Sequence, residues 1–151
     1  MTGTDAAPDA QSSDASRFVR VSGLVVDEVT PTTLEGHADL GEDHLTAWGT
    51  VHGGVYASIV ESAGGAGAGV AVAHRDQIAV GVHNATDFLR ASTGGRVTVR
   101  AQALFQGRSQ QLWDVVISQA ATGKVLARGQ LRLQNVPAPS EKNRQISPGA
   151  S

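Results

Sequence analysis

The sequence predicts an α+β domain in which one long helix is wrapped by antiparallel strands. Two observations carry this. Residues 53–73 form a single stretch of small and apolar residues, long enough for several helical turns. On either side lie segments that alternate apolar and polar residues, separated by short turns bearing glycine, proline or threonine. A single helix cannot cover both faces of such a sheet, but it can fill the inside of its curl. The strand edges and faces left over argue for oligomerisation.

A chain of 151 residues with 40% apolar content is long enough for one core and short for two. A net charge of −2 and a pI of 6.2 give no footing for a nucleic-acid partner. Only 17% of residues are charged, so much of the surface is neutral or covered by another subunit. The absence of cysteine excludes disulfides, a cysteine nucleophile and thiolate metal sites. No basic segment followed by an apolar core opens the chain, so no secretory signal is expected. The longest apolar run, residues 64–73, is made largely of glycine and alanine and falls short of the roughly 20 residues that span a bilayer. The expectation is a soluble cytoplasmic domain with no membrane partner.

Taken in order, residues 1–16 carry no large apolar side chain after Met1 and are expected to be disordered, as are residues 137–151. The folded domain is then 17–136. Phe18-Val19-Arg20-Val21 and residues 24–29 are β-rich, Thr30-Pro31-Thr32-Thr33 makes a turn, and residues 34–40 alternate like a half-buried partner strand. Residues 41–50 form a loop before the helix. Gly64, Gly65, Gly67 and Gly69 each cost a helix up to about 1 kcal/mol relative to Ala, so this helix is expected to lie close against another backbone or a ligand. Four β-like segments follow: 78–88, 96–105, 110–118 and 124–134. Between them fall Ser92-Thr93-Gly94-Gly95, Gln106-Gly107-Arg108 and Ala121-Thr122-Gly123.

The chemistry gathers on the helix. Gly53 and Gly54 stand at its start, where the first N–H groups lack intrahelical partners and no Ser, Thr, Asp or Asn directly precedes them. Bare donors there suit an anion, or a carbonyl oxygen that becomes one; the bland reading is a tight turn into the helix. Glu61 lies among Ile59, Val60, Ala63 and Gly64, and residues 46–74 contain no Lys or Arg to pair with it. A buried lone carboxylate is costly and tends to be functional; the bland reading is a solvated helix face. Ser58 and Gly65, three residues before and four after Glu61, together with the adjacent Ser62, leave room for a ligand beside it. Gly53 and Glu61 are eight residues apart, about 12 Å along a helix, whereas one reacting carbon needs donor and acid within roughly 3 Å. Two antiparallel copies of the helix would bring Gly53 of one against Glu61 of the other. A dimer with two shared sites is the consequence.

These residues resemble those of the hotdog-fold acyl-CoA thioesterases, in the branch of the 4-hydroxybenzoyl-CoA, 1,4-dihydroxy-2-naphthoyl-CoA and phenylacetate-pathway enzymes. The resemblance rests on Gly49-Thr50-Val51-His52-Gly53-Gly54 with Glu61-Ser62 beyond it, on Val80-Gly81-Val82-His83-Asn84-Ala85-Thr86 and Phe88-Leu89-Arg90, and on Gly107-Arg108-Ser109-Gln110-Gln111-Leu112-Trp113-Asp114-Val115. It implies a hotdog fold with a curved antiparallel sheet of five to six strands, homodimers and often homotetramers, and thioester hydrolysis of an aromatic or medium-chain acyl-CoA without metal or cofactor. By position, the Gly53 N–H would polarise the thioester carbonyl and His52 would orient the site. Glu61 would act as nucleophile or general base, and Arg90 with Gly107-Arg108-Ser109 would contact the CoA. Two positions depart from the family pattern. Three residues before Gly49, where members often carry Asn or Gln near the thioester, stands Thr46; four after Glu61, where they often carry Ser or Thr, stands Gly65.

Two rival readings stand beside this one: a second enzyme, a hydratase or dehydratase on the same fold, and, from another class, a non-catalytic acyl-CoA-binding or regulatory domain. A hotdog hydratase would need a catalytic His paired with Asp or Glu, and His52 has no such neighbour in sequence. A non-catalytic acyl-CoA-binding domain is encouraged by Thr46 and Gly65. His37, His44, His74 and His83 lack metal-ligand spacing, and Trp113, in an alternating strand with Val115 and Ile117, is expected to serve packing.

Overall fold

The computed structural model describes residues 16–140. The tails expected to be disordered lie outside the described residues, apart from Ser16 and residues 137–140. The chain runs α1 (Arg17–Ser22), β1 (Val25–Val29), β2 (Thr33–Leu40), α2 (Gly53–Val72), β3 (Gln77–Phe88), β4 (Gly95–Gln106), β5 (Gln110–Gln119) and β6 (Val125–Pro137), with single 3₁₀ turns at Glu42–His44 and Ala73–Arg75. All strand pairs are antiparallel, in one six-stranded sheet of order β1-β2-β4-β5-β6-β3. The sheet curls around α2, which is the hotdog arrangement expected from the sequence.

One expected element is corrected. Residues 18–21 were expected to be β, and they form the short helix α1. The reason lies at its ends. Ser16 Oγ accepts the Val19 N–H, and Gly23 closes the helix in the left-handed region at φ 82°. Those two caps outweigh the strand preference of Phe18, Val19 and Val21. His44 then fastens α1 to the loop: its Nε2 meets the Val21 carbonyl at 2.7 Å and its Nδ1 accepts the Gly41 N–H at 3.0 Å.

The core fills the space between α2 and the sheet. Ile59, Val60 and Ala63 of α2 face Val97, Val99 and Ala101 of β4, Trp113 and Val115 of β5, and Leu131 of β6, all fully buried. Trp113 is core, as expected. The glycines of α2 divide by face. A Cβ on Gly67 would lie 2.5 Å from Trp113 Cη2, and one on Gly64 would lie 2.8 Å from Leu131 Cδ2, so these two permit the close approach of helix to sheet. Gly65 and Gly69 face open space. The segment Gly53–Arg75 is long and apolar enough to cross a membrane by length and composition. Here its buried residues, Tyr56 to Val72, pack on the sheet.

At one end of the sheet, among the described residues, β3 pairs only with β6 and leaves its other edge open. That edge strand carries Ile78, Val80 and Val82 partly exposed. A long edge strand with apolar side chains invites another chain.

Candidate active site

Local sequence fixes the helix start. His52 is the N-cap of α2, in extended conformation, and its Nδ1 accepts the Gly54 N–H at 2.8 Å. The expected pair of bare donors is therefore corrected to one. The imidazole Nδ1 sits as far from its backbone as an Asn side-chain oxygen, so His can cap where no Ser, Thr, Asp or Asn is present. A neutral His52 then carries its proton on the exposed Nε2. The Val55 N–H turns back to the His52 carbonyl at 3.0 Å. The Gly53 N–H has no acceptor among the described residues, and it stands at the positive end of a 20-residue helix.

Two clefts flank this start. One, of about 280 Å³, is lined by Gly53, Tyr56, Phe88, Leu89 and Arg90, so the sequence-predicted Arg90 shares a cleft with Gly53. Gly53 lets the helix start lie close against the exposed Phe88 ring, whose Cε2 would stand 2.5 Å from an added Cβ, so a side chain here displaces that ring. The other, of about 290 Å³, lies between α1 and the first turns of α2. Phe18, Val21 and Val55 supply apolar walls, and His52, Ser58 and Asp43 supply polar groups. Tyr56 Oη is buried without a hydrogen-bond partner among the described residues. Burial pushes the phenol pKa up, partly offset by the nearby Ser92 hydroxyl. Ser92 Oγ is itself engaged with Gln119 Oε1 at 2.9 Å.

Glu61 differs from expectation in two respects. It is exposed, not buried, because β3 is the last strand and none of the described residues covers the helix beyond it. Nor is it without a partner: Asn84 Nδ2 donates to Glu61 Oε2 at 3.2 Å. The carboxylate rests on the backbone of Gly81, where a Cβ would overlap Oε1. Ser58 Oγ donates to the Gly54 carbonyl at 2.6 Å. Gly65 offers no polar atom besides its backbone, and Ser62 is half-buried one residue beyond the acid.

The remaining predicted residues are distributed unequally. Thr46 is committed to its own loop: its Oγ1 accepts the Trp48 N–H at 3.2 Å and meets Thr50 Oγ1 at 3.3 Å. Gly107, Arg108 and Ser109 form the β4–β5 turn, held by Asn135, whose Nδ2 donates to the Gly107 and Arg108 carbonyls and whose N–H donates to the Ser109 carbonyl. Arg90 is anchored at the other end of β6 through the Leu126 carbonyl. Nine residues of strand separate the two anchors, about 30 Å. One chain therefore cannot bring Arg90 and the 107–109 turn to the same small ligand.

Sequence reasoning named Gly81, Asn84 and Gln111 only among the residues that carry the resemblance and gave none of them a role. Fully buried Gln111 donates to the Ala68 carbonyl and Asn135 Oδ1 and accepts from Trp113 Nε1 and Gln106 Nε2. A signal existed for two of the three, because glycine and asparagine are both unfavourable inside a strand.

Comparison with known proteins bears on this arrangement. The thioesterase superfamily profile matches residues 48–126, the span from the loop before α2 to the first part of β6. The candidate esterase Rv1847 of Mycobacterium tuberculosis is 40% identical over 118 residues, covering 77% of this chain and 84% of its own. Its solved structure superposes with a TM-score of 0.78 at 38% identity, over 83% of this chain and 100% of that one. The 1,4-dihydroxy-2-naphthoyl-CoA thioesterase 2 of Arabidopsis thaliana is 32% identical over 98 residues, 64% of this chain and 61% of that protein. Human acyl-coenzyme A thioesterase 13 is 29% identical over 119 residues, covering 76% and 82%.

Proposed function

The chain belongs to the thioesterase superfamily, and from that premise we propose that it hydrolyses an aromatic or medium-chain acyl-CoA at two sites shared across a homodimer. That it is a thioester hydrolase follows from the family. The observation that carries the finer reading is the spacing on α2. A free N–H at Gly53 and a carboxylate at Glu61 occupy one helix, too far apart to meet on one substrate carbon.

In this reading the Gly53 N–H donates to the thioester carbonyl oxygen and stabilises the negative charge it gains in the tetrahedral intermediate. The partner subunit's Glu61 either takes a proton from the attacking water or attacks the carbonyl carbon itself, forming an anhydride that water then opens. On collapse, the C–S bond breaks and CoA leaves as the thiolate, which takes the proton held by Glu61 in the general-base route and a proton from solvent in the nucleophilic one. The cleft beside Arg90 suits the CoA arm, since guanidinium groups recognise phosphate. The partner's 107–109 turn is the way to bring the second CoA-contacting segment near. The cleft between α1 and α2 suits the acyl group. It is mostly apolar and near the lower end of small-molecule pockets, enough for an aromatic ring or a chain of several carbons. The open edge of β3, with its exposed valines, supports pairing of two copies there. A tetramer rests on the family resemblance, and its test is the mass in solution.

The test is release of CoA thiol from a panel running from benzoyl-CoA and naphthoyl-CoA to acetyl-CoA and octanoyl-CoA. Glu61→Gln is expected to reduce turnover on the order of 10²- to 10⁴-fold, as loss of a general base does. Undiminished release by Glu61→Gln would remove Glu61 from the mechanism. A preference for acetyl-CoA over the ring and eight-carbon substrates would overturn the assignment of the acyl cleft.

A further inference from the structure

We propose that Asn84 is a positioning residue for Glu61, and that Thr86 fixes Asn84 in turn; this rests on the reading of Glu61 as the acid of the site. The three side chains form a chain of hydrogen bonds. Thr86 Oγ1 donates to Asn84 Oδ1 at 2.6 Å, and Asn84 Nδ2 donates to Glu61 Oε2 at 3.2 Å and to the Ala57 carbonyl at 3.0 Å.

The amide has only one workable orientation. Turned over, its oxygen would face two acceptors, the Ala57 carbonyl and the Glu61 carboxylate. Residue type is constrained as well, since an Asp would lose both donors and set a second negative charge against Glu61. A simple tie between β3 and α2 would need one amide hydrogen, the one given to Ala57. The second goes to the acid.

Strand geometry brings the parts together. Gly81 and Asn84 are three residues apart, and in a regular strand an odd spacing puts two residues on opposite faces. The register of β3 against β6 slips between Gly81 and His83, which makes Val82 the extra residue of a bulge. Both Gly81 and Asn84 therefore face α2, one beneath the carboxylate and one beside it. At the inner end, Thr86 is set against Gly129, where a Cβ would lie 2.6 Å from Thr86 Oγ1 and 2.9 Å from Val60 Cγ1. The chain of contacts thus runs from the packed core to the acid. It also distinguishes the two carboxylate oxygens: Oε2 receives the Asn84 hydrogen, and Oε1 has no hydrogen-bond partner among the described residues.

The experiment follows thiol release against pH, using the fastest substrate of the panel, for the full chain and its Asn84→Ala, Asn84→Asp, Thr86→Val and Glu61→Gln variants. Asn84→Ala is expected to lower kcat about 10- to 100-fold with KM within about twofold, as removal of one charge-assisted hydrogen bond does. Asn84→Asp, which keeps the side-chain shape, is expected to move the acid limb of the rate profile to higher pH, because the added charge disfavours the ionised acid. Thr86→Val is expected to give a smaller loss of the same kind. Wild-type kcat and an unmoved acid limb in Asn84→Asp and Thr86→Val, with Glu61→Gln inactive, would overturn the proposal and leave the function standing. A fully active Glu61→Gln would overturn both.

Discussion

Replacing Gly81 by Ala should abolish most activity without weakening the fold. Gly81 does not have a positive φ, so alanine can adopt its backbone conformation. The added Cβ would overlap Glu61 Oε1 and stand 3.0 Å from Glu61 Cδ. Ordinary carbon contacts are about 3.5–4.0 Å, so the carboxylate has to withdraw by about 1 Å. Glu61 is exposed, and the end of its side chain can move at little energetic cost. Loss of glycine's freedom in the unfolded chain favours the variant by about 0.4–1 kcal/mol. Melting temperature should therefore be unchanged or slightly raised. A misplacement of about 1 Å in a reacting group costs on the order of 100-fold, and kcat should fall by that much. The assay pairs thiol release with a thermal melt on the same preparation. A Gly81→Ala protein with kcat within about threefold of wild type would refute the claim that the bulge seats the acid.

Three further expectations concern other parts of the molecule. Arg90→Ala should raise KM for acyl-CoA by about fivefold or less, the worth of an exposed charge pair, and leave KM for the matching acyl-pantetheine unchanged; equal effects on both would exclude a phosphate contact. Tyr56 is the sole tyrosine, and burial raises its phenol pKa above the unfolded value of about 10. Its contribution is intact below that pH and lost as pH rises through the folded-state value. Tyr56→Phe should therefore flatten the alkaline loss of stability, and tyrosinate absorbance in the native protein should rise later than in the unfolded chain. Gln111→Leu strands the Trp113 indole N–H and Asn135 Oδ1, at about 1–3 kcal/mol each; an unchanged denaturant midpoint would contradict the role given to that buried hub.

What was legible in the sequence depended on whether the cause was local. The alternation of residues 96–105 and 110–118 reports a sheet with one face in the core; β5 bears it out along its length, and β4 does so as far as Ala103, where a bulge leaves both Leu104 and Phe105 exposed. Gly53 and Glu61 stood out because their types are unusual at a helix start and on an apolar helix. The short helix α1 was not legible, since its caps outweigh the strand preference of its own residues. Gly64 and Gly67 suggested close approach, but that Trp113 and Leu131 are the neighbours depends on how β5 and β6 lie across α2. The seat of Glu61 was hidden for the same reason. Asn84 is 23 residues from it in sequence, and its direction is set by a bulge that pairing with β6 creates.

The shared site is tested most directly by mixing two inactive variants. Gly53 is the first residue of α2, where proline is tolerated, and His52 before it is already extended at φ −65° and ψ 131°. Gly53→Pro thus removes the N–H with little disturbance to the helix, while the exposed Phe88 ring is free to swing aside. Glu61→Gln removes the acid. Each homodimer lacks one of the two groups at both sites. Refolded together in equal amounts, about half the dimers are mixed, and each of those has one site with both groups intact, so about a quarter of wild-type activity should return. If donor and acid serve the same substrate within one chain, every site in every dimer is broken, and the mixture stays inactive.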